Sequence, residues 1–397
     1  MGVKGKDKRM MTGNYAAAYG AKLAQIEVVP AYPITPQTQI MEKLIEFINT
    51  GELQARFVPV ESEHSAMCVA IAAEATGARS FTASSSQGLA YMHENLFVAS
   101  GLRLPIVMAA VNRGLAMPIS IHPDQTDSLA ERDSGWIQYY AADAQETLDL
   151  ILQAYRVAED PDVLLPVMVC LEGFLISHFT DIVELPDARE AADFVGDYKP
   201  KHVFLDPKRP MHIGILVNEQ YYTEYRYQQK VAMDNAKSAI NRVAAEYRER
   251  FGRGHGLFET YRAEDAEMLV IVLGTLSGLV KLAIDRLRGD GIKVGLIRLV
   301  TFRPFPGHEL VNYCKAAKTV IVLDRNVSHG STGIIYPEVA ASLCNISPQP
   351  RVFDVILGLG GRDVSQDDME ELIRNFSKKE LRSQDEAVSW LRVRGAE

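Results

Sequence analysis

Three polar residues follow predicted β-strands at positions where chemistry could take place. Thr35 lies in the corner "AYPITPQ", after the apolar run "IEVV", and the prolines on either side of it exclude a helix or a central strand there. Glu63 follows "RFVPV", and Arg113 follows "RLPIVMAAVN". The carboxyl ends of parallel strands meet at one edge of a sheet, where ligands bind, and an arginine there can hold a carboxylate through two hydrogen bonds. These residues therefore predict a site for an anionic ligand.

Each of these residues also has a purely structural interpretation. Glu63 stands at the start of a predicted helix, where a carboxylate stabilises the helix N-terminus. Arg113 could form a salt bridge with one of the acids near it, and the paired prolines could do no more than fix a turn. From the residues alone, both interpretations stay open.

The framework that would position these residues is a parallel sheet. In the first part of the chain, apolar runs alternate with helical patterns, which is typical of a parallel α/β sheet covered on both faces. The predicted strands are "IEVVPAYP", "ARFVPV", "RSFTASS", "LPIVMAAV" and "DVLLPVMVCLE". The predicted helices include "SAMCVAIAAEATG" and a single helix over "GLAYMHENLFVASG", and "TASSSQGLA" predicts a strand-to-helix turn.

The remainder of the chain predicts a second α/β unit. Residues 184–210 are polar and proline-rich without clear periodicity, so we interpret them as a connecting arm. A long amphipathic helix follows, with Ile240, Val243, Tyr247 and Phe251 on one stripe, and "FGRGHG" ends it. Beyond it, "MLVIVLG", "KVGLIRLV", "TVIVLD" and "VFDVILGLG" predict four further strands.

Motifs for other chemistry find little support. "GDG" at 289–291 resembles the start of a diphosphate–magnesium loop, but it leaves a helix and enters a strand, the reverse of the required order. No loop carries the Gly-Lys-Ser/Thr that nucleotide hydrolysis uses. The histidines are well separated and the cysteines form no CxxC pair, so we expect no metal site in this chain. The cysteines are expected to be buried free thiols: Cys68, Cys170, Cys314 and Cys344.

Charge and hydropathy exclude two classes of partner. The formal charge of -9, from 42 basic and 51 acidic residues, argues against a nucleic-acid-binding surface. No apolar run is long enough to cross a bilayer, and the start of the chain lacks the apolar core of a signal peptide. We therefore expect a protein that binds neither nucleic acid nor membrane, and the free cysteines favour a reducing, cytoplasmic compartment.

At the same strand-end residues, the chain resembles the α subunit of the 2-oxoacid:ferredoxin oxidoreductases, in particular the pyruvate branch with four separate subunits. The matching stretches include "AYPITPQTQIMEKL", "VESEHSAMCVAIAAEATGAR", "FTASSSQGLAYMHENLFVASGLRLPIVM" and "NRGLAMPISIHPDQTDSLAERDSGWIQYYA". "LDPKRP", "RLVTFRPFP" and "GLGGRDVS" continue the match in order through the second unit.

This resemblance implies two parallel-sheet α/β domains and several partners. Residues 1–235 would form the domain that binds the pyrimidine end of thiamine diphosphate, 236–262 a linker helix, and 263–397 a transketolase C-terminal-like domain. A β subunit would hold the diphosphate, its magnesium ion and at least one cluster. A ferredoxin-like δ subunit would carry further [4Fe–4S] clusters, and a γ subunit would complete the assembly.

The resemblance also implies roles for four residues. Glu63 matches the cofactor glutamate and would hydrogen-bond the aminopyrimidine ring nitrogen. Pro33 and Thr35 match the corner beside the cofactor, where the threonine hydroxyl would meet the substrate. Arg113 would bind the substrate carboxylate. The implied reaction is oxidative decarboxylation of a 2-oxoacid with coenzyme A to acyl-CoA and CO2, with electrons passing through the clusters to ferredoxin.

One loop departs from the family pattern. Pyruvate-specific members often have S-I-W-N-D where this chain has "SIHPD" at 120–124. Pyruvate is the implied substrate, and a branched-chain or aromatic 2-oxoacid is the alternative. His122 could act as an acid or base, or only stabilise its loop. A non-catalytic structural subunit and a free-standing transketolase-like enzyme are alternative functions, which the joint presence of Thr35, Glu63 and Arg113 and the lack of a diphosphate loop disfavour.

Overall fold

The computed structural model describes residues 7–200, 204–380 and 384–395. Residues 1–6, on which part of the signal-peptide expectation rests, lie outside this range. The strands in the described range are β1 (Asp7–Thr12), β2 (Val28–Ala31), β3 (Arg56–Pro59), β4 (Phe81–Ser84), β5 (Val107–Asn112), β6 (Ile137–Tyr140), β7 (Val167–Glu172), β8 (Thr180–Leu185), β9 (Phe258–Tyr261), β10 (Met268–Leu273), β11 (Val294–Leu299), β12 (Thr301–Arg303), β13 (Thr319–Asp324), β14 (Arg351–Ile356) and β15 (Val388–Trp390).

Helices connect most of these strands. They are α1 (Gly13–Leu23), α2 (Thr38–Asn49), α3 (Glu63–Ala75), α4 (Gln87–Tyr91), α5 (His93–Gly101), α6 (Thr126–Ala130), α7 (Ala144–Ala158), α8 (Leu175–His178), α9 (Ala188–Val195), α10 (Glu219–Phe251), α11 (Leu276–Gly289), α12 (Gly307–Cys314), α13 (Ile335–Leu343) and α14 (Gln366–Lys378). No helix in the described ranges is long and apolar enough to cross a membrane.

The first sheet brings the ends of its strands to one edge. Strands β4, β5, β7 and β6 are parallel and adjacent in that order. The parallel pair β2 and β3 continues the sheet beside β4, through a bridge between Val28 and Ser80. Strands β5 and β7 are buried along their whole length, which explains their continuous apolar runs. The predicted α/β class is confirmed, and the carboxyl edge is where Thr35, Glu63 and Arg113 follow their strands.

The second sheet has the order β15-β14-β13-β10-β11-β9 and is parallel except for β9, which is antiparallel to β11. The four predicted strands of this unit are therefore confirmed as β10, β11, β13 and β14. Helix α11 ends at Gly289, so the "GDG" stretch terminates a helix and does not open one. Gly291 has a φ of +83°, a conformation that favours glycine.

A short strand joins the two units directly. Strand β12 follows β11 closely along the chain but leaves its sheet and pairs antiparallel with β6 of the first sheet. One apolar cluster also contains residues of both units, among them Met108, Tyr140, Leu269 and Phe302. Backbone pairing and a shared core therefore fix how the second unit lies against the first.

Two predicted segments were wrong in detail. The segment 184–210, interpreted as an arm without periodicity, contains helix α9, which buries Ala191, Phe194 and Val195. Its apolar positions span only two turns between charged residues, so the pattern was too short to recognise. The predicted helix over "GLAYMHENLFVASG" is two helices, because the backbone at Met92 leaves the helical conformation between α4 and α5.

Two further expectations needed correction. The long helix α10 begins at Glu219, about 20 residues before its apolar stripe, because its first half is exposed and shows no core-facing pattern. It ends at Phe251 and is followed by Gly252 in a left-handed conformation, as "FGRGHG" indicated. Cys170 and Cys314 are buried as expected, but Cys68, in α3, and Cys344, just after α13, are exposed.

Candidate active site

The proline corner after β2 is held from three directions. The Gln37 backbone N–H donates to the Ile34 carbonyl at 2.9 Å, and the Gln37 side chain donates to the Tyr32 carbonyl at 2.9 Å. The buried Asn14 side chain of α1 donates to the Pro36 carbonyl at 2.9 Å. These bonds keep the corner rigid while Thr35 stays exposed at the sheet edge. No described residue hydrogen-bonds the Thr35 hydroxyl.

Arg113 binds this corner. Its Nη1 donates to the Thr35 carbonyl at 3.0 Å, and its Nε donates to the Ser120 carbonyl at 2.8 Å. Within the described residues, the guanidinium forms no ion pair and its Nη2 has no acceptor. The salt-bridge alternative is therefore not what the structure shows. Instead, two backbone carbonyls aim a guanidinium whose remaining N–H groups are available to a carboxylate.

Glu63 lies at the first turn of α3, behind the N-cap Ser62, whose side chain accepts from the Ser65 backbone N–H. It is only 7% exposed, and burial raises the pKa of its carboxyl above the ordinary value. No other described residue donates to this carboxylate. Helix α4 approaches it so closely that a Cβ at Gly88 would lie 2.7 Å from Glu63 Oε1. A buried acid that no basic partner neutralises is typical of functional sites.

Asp127 connects the surroundings of Glu63 with Arg113. Its Oδ2 accepts from the backbone N–H groups of Ser86, at 2.9 Å, and Arg113, at 3.0 Å, and its Oδ1 accepts from the Asn112 side chain at 2.8 Å. Burial raises the pKa of Asp127 to about 7, although these donors act in the opposite direction. Ser86 has a φ of +47°, which is strained for a residue other than glycine, and the Asp127 bond helps to hold it there.

The structure thus brings Thr35 and Arg113 into direct contact, and joins Glu63 to them only indirectly. Glu63 packs on the turn between β4 and α4, and Asp127 bonds both that turn and Arg113. Pro33 is exposed on the corner beside Thr35. His122 is exposed on the loop after Arg113, where its ring stacks on Phe174 at 6.2 Å with 9° between the planes.

Sequence reasoning missed three residues that position this site: Asn14, Gln37 and Asp127. A buried asparagine in an alanine-rich helix and a glutamine just after a proline corner are weak signals, because both residues are common on surfaces. Asp127 stands in the first turn of a short helix, where a helix-capping role is the ordinary expectation. Only the folded chain shows that it bonds residues 86, 112 and 113 together.

Solved structures share this fold. A 2-oxoglutarate:ferredoxin oxidoreductase from Magnetococcus marinus superimposes with a TM-score of 0.72 at 20% identity, covering 93% of this chain and 65% of that chain. An inactive split-gene transketolase superimposes with a TM-score of 0.51 at 15% identity, covering 92% and 97%. At these identities the likeness concerns the fold alone. The fold is the α/β class that these two proteins share, as predicted.

Sequence comparison narrows this class to one family. The family described as "Pyruvate flavodoxin/ferredoxin oxidoreductase, thiamine diP-bdg" matches residues 19–245, and "Pyruvate:ferredoxin oxidoreductase core domain II" matches residues 266–369. The chain belongs to the pyruvate:ferredoxin oxidoreductase family. It is thus one subunit of a 2-oxoacid:ferredoxin oxidoreductase with a thiamine-diphosphate-binding domain, which confirms the predicted family and enzyme class.

Curated relatives cover almost the whole chain. Pyruvate synthase subunit PorA of Methanocaldococcus jannaschii is 48% identical over 386 residues, covering 96% of this chain and 97% of the relative. Ketoisovalerate oxidoreductase subunit VorA of Pyrococcus horikoshii is 44% identical over 389 residues, covering 98% of each. Relatives with two different named substrates therefore lie at nearly the same distance from this chain.

Proposed function

We propose that this chain is the α subunit of a complex that oxidatively decarboxylates a 2-oxoacid, with pyruvate as its substrate. Coenzyme A takes the acyl group, and the electrons pass through [4Fe–4S] clusters on partner subunits to ferredoxin. The observation that carries this proposal is the guanidinium of Arg113, aimed by the carbonyls of Thr35 and Ser120 and left with open N–H groups. A 2-oxoacid presents the carboxylate that such a group binds best.

Glu63 fits the pyrimidine end of thiamine diphosphate. When bound, this cofactor supplies the nucleophilic carbon and the electron sink for decarboxylation. Glu63 offers a buried carboxyl with a raised pKa to which no other described residue donates, so it can hold a proton and share it with a ring nitrogen. Gly88 removes the side chain that would otherwise collide with that carboxyl.

The corner supplies the substrate side of the site. The Thr35 hydroxyl is exposed and has no described partner, and it lies on the residue whose carbonyl binds Arg113. We assign it to a hydrogen bond with the oxoacid, and Pro33 to the wall beside the cofactor. Rigidity matters for both roles, because substrate contacts accelerate a reaction only when they are held in place before it begins.

Partner subunits would complete the site. Several large apolar side chains in the loops near the sheet edge are exposed, among them Met117 at 81%, Ile119 at 69% and Phe179 at 56%. Apolar groups clustered on a rim generally mark a surface that another protein covers. We propose that β, γ and δ subunits assemble with this chain, and that the β subunit holds the diphosphate and its magnesium ion. The domain limits at residues 235 and 262 stay a prediction.

A branched-chain 2-oxoacid is the second candidate substrate. The ketoisovalerate relative is nearly as similar as the pyruvate relatives, and the loop at 120–124 has His122 where pyruvate-specific members often have a tryptophan. His122 stacks on Phe174 and is exposed. This geometry supports a loop-stabilising role, and it leaves the size of the bound oxoacid to experiment.

The test is dye reduction by the complex purified with its natural partners. We expect reduction of a viologen that depends on thiamine diphosphate and coenzyme A, with the highest kcat/KM for pyruvate among pyruvate, 2-oxoisovalerate, 2-oxoglutarate and phenylpyruvate. A higher kcat/KM for 2-oxoisovalerate would favour the second candidate. A chain that purifies without cluster-bearing partners, or a complex inactive on every oxoacid, would contradict the proposal.

A further inference from the structure

An internal hydrogen bond closes the loop after Arg113, and a carbonyl of this loop binds the Arg113 guanidinium. In this loop, residues 114–125, the Gly114 N–H donates to the His122 carbonyl at 3.0 Å. The Ser120 carbonyl accepts from Arg113, as described above. The Asp124 carboxylate accepts from the Thr126 backbone N–H at 3.0 Å. Any displacement of residues 120–124 would therefore displace the carbonyl that aims the guanidinium of Arg113.

A glycine-rich turn of the second unit holds this loop through hydrogen bonds. The turn, residues 358–361, follows β14. Its Gly360 N–H donates to the Asp124 carboxylate at 3.1 Å, and its Gly361 N–H donates to the Pro123 carbonyl at 2.8 Å. The loop thus takes two backbone hydrogen bonds from a unit that lies more than 200 residues away in sequence.

Arg325, just after β13, also binds this loop. It is only 7% exposed, and its Nη2 donates to the Pro123 carbonyl at 3.2 Å. Its own carbonyl accepts from the Gln125 N–H at 2.9 Å. Its Nη1 lies 3.5 Å from the carboxylate of Glu172, at the end of β7. One buried guanidinium therefore connects the second unit, the loop and the first sheet.

The turn can approach so closely only because it lacks side chains. Gly358, Gly360 and Gly361 have φ values of +66°, +55° and +75°, which favour glycine. A Cβ at residue 361 would lie 2.8 Å from the Cβ of His122 and 3.3 Å from Cδ of Pro123. The His122 ring stacks on Phe174 of the first unit. The loop is therefore confined between two surfaces, one from each unit.

We propose that Arg325 and the glycine turn 358–361 are positioning elements for the oxoacid. They hold residues 120–124, and through the Ser120 carbonyl they set the direction of Arg113. The second unit would then control substrate affinity without touching the substrate. This proposal rests on the proposed function, because it assigns Arg113 to the oxoacid carboxylate.

The test compares Gly361→Ala with Gly291→Ala in the purified complex. Gly291 lies in the same unit, has a φ of +83° and would place its Cβ in open space, so it carries a similar backbone penalty without a contact. We expect Gly361→Ala to raise the KM for the oxoacid about tenfold or more, with a much smaller change in kcat, because small misplacements of binding groups cost one to two orders of magnitude. Gly291→Ala should keep the wild-type KM.

Hydrogen exchange in the same complexes provides a readout that needs no turnover. The amides of residues 114–125 should exchange several-fold faster in Gly361→Ala than in the wild type or in Gly291→Ala, because the loop loses its outer support. Arg325→Met should act in the same direction. If both changes act through one loop, their effects on KM should be less than additive in the double variant.

The outcomes separate this inference from the proposed function. An active wild-type complex in which Gly361→Ala and Gly291→Ala share the wild-type KM would overturn the inference and leave the function standing. Faster hydrogen exchange of residues 114–125 in Gly361→Ala without a change in KM would also overturn the inference, since the contact between the turn and the loop would then stabilise the loop without affecting substrate binding. If the wild-type complex turns over no oxoacid, the proposed function fails, and the assignment of Arg113 to the oxoacid carboxylate fails with it. If hydrogen exchange of residues 114–125 is the same in Gly361→Ala as in the wild type, the inference that the turn holds this loop is refuted, and the proposed function is not affected.

Discussion

Two groups of ionisable residues in this chain are arranged in opposite ways. At the sheet edge, Glu63 is buried with no basic partner among the described residues, and Arg113 donates to backbone carbonyls. Between the two units, Glu146 accepts two hydrogen bonds from Arg298, at 2.9 and 2.6 Å, and lies 2.8 Å from His255. We call the first group open, because its members form no ion pair with a described residue, and the second group closed, because its acids and bases pair with one another.

The pKa values follow this difference. Burial raises the pKa of Glu63, because only a backbone hydrogen bond at the residue itself opposes the lost hydration, and no basic side chain does. Burial would raise the pKa of Glu146 as well, but Arg298 and His255 lower it to about 2. Burial would lower the pKa of His255, yet its bonds to Asp149 and Glu146 raise it to about 11. Pairing therefore marks a structural cluster, and the lack of ionic partners agrees with the proposed role of Glu63 and Arg113 in ligand binding.

The closed cluster could be mistaken for a metal site. Ligand atoms of Glu146, His255 and Glu259 lie within 4.8 Å of one another. However, Arg298 already binds both carboxylates, at 2.6 and 2.8 Å, and the raised pKa keeps the His255 ring protonated, so it has no lone pair to offer. We interpret the cluster as an ionic contact that fastens β9 and β11 to helix α7.

The largest effect is expected from a substitution of Glu63, in the open group at the sheet edge. Glu63→Gln keeps the shape but removes the group that holds the proton, so kcat should fall roughly a thousandfold. The melting temperature of the complex should change little, because the amide keeps the shape of the side chain and no described side chain pairs with the carboxylate that it replaces. The measurements are viologen reduction and thermal unfolding of the purified complex.

Glu61→Gln is the matched control for this change. Glu61 is a carboxylate two residues away, but it is exposed and bonded to Ser65. It should leave kcat within about twofold, since surface substitutions away from a site have little effect. Equal losses in both variants, or full activity in Glu63→Gln, would contradict the role assigned to Glu63.

The second prediction breaks the closed cluster. Arg298→Met removes the cation that binds both Glu146 and Glu259 and leaves the buried Glu146 without its main partner, so the free energy of unfolding should fall by about 3 to 5 kcal/mol. Arg286→Met, at an exposed arginine paired with Glu370, should cost less than about 1 kcal/mol. Thermal unfolding of the full chain measures both. The comparison fails if Arg298→Met is as stable as Arg286→Met, or if the folded variant loses activity as Glu63→Gln does.

The effect of pH on the cluster should be smaller, because protonation removes a charge but leaves the side chains packed. Glu146 has a lowered pKa of about 2, so its contribution is complete above about pH 4.5 and is lost as pH falls toward 2. His255 has a raised pKa of about 11, so its contribution is complete below about pH 6.5 and is lost as pH rises toward 11. Stability should therefore be greatest between these limits.

Melting temperatures of the full chain across pH, for the wild type and Arg298→Met, test this expectation. The variant should lose the steep acid limb, since Arg298 is the cation that chiefly lowers the pKa of Glu146. An identical acid limb in both proteins would show that other carboxylates cause acid unfolding.

Local patterns predicted the strand ends and the residues that follow them. Continuous apolar runs such as "VMAAVN" and "VMVCLE" identify buried parallel strands, and the edge rule then places Thr35 and Arg113 near each other. The contact at 3.0 Å between them agrees with that reasoning. The assignment of Glu63 came from the family resemblance, because its position alone suited a helix N-terminus equally well.

Long-range contacts could not be predicted from the chain. No local pattern connects Asp127 with Ser86, or Gly361 with His122, since each pair is brought together only by the packing of distant elements. Strand β12 was missed because it has three residues and follows another strand with hardly a break. The exposed half of α10 shows no apolar stripe, so only its buried half was recognised.

The smallest effect is expected from a substitution of Arg113, the arginine of the open group. Arg113→Lys keeps the charge but replaces a planar fork with a single ammonium, which cannot reproduce the spread of donors that bonds the Thr35 and Ser120 carbonyls and leaves further N–H groups for a substrate carboxylate. The KM for the oxoacid should rise about tenfold, with a smaller change in kcat, because the lost contacts bind the ground state and the transition state alike. Steady-state dye reduction over a range of oxoacid concentrations measures the split.

Arg103→Lys offers a matched control, because Arg103 also clamps two backbone carbonyls, those of Leu164 and Val163, but precedes β5 at the opposite end of the sheet. Losing that clamp should lower the melting temperature and leave the KM for the oxoacid unchanged. If the two lysine variants have the same KM, the fork of Arg113 is a structural clamp like that of Arg103, and the open group at the sheet edge is no more functional than the closed one.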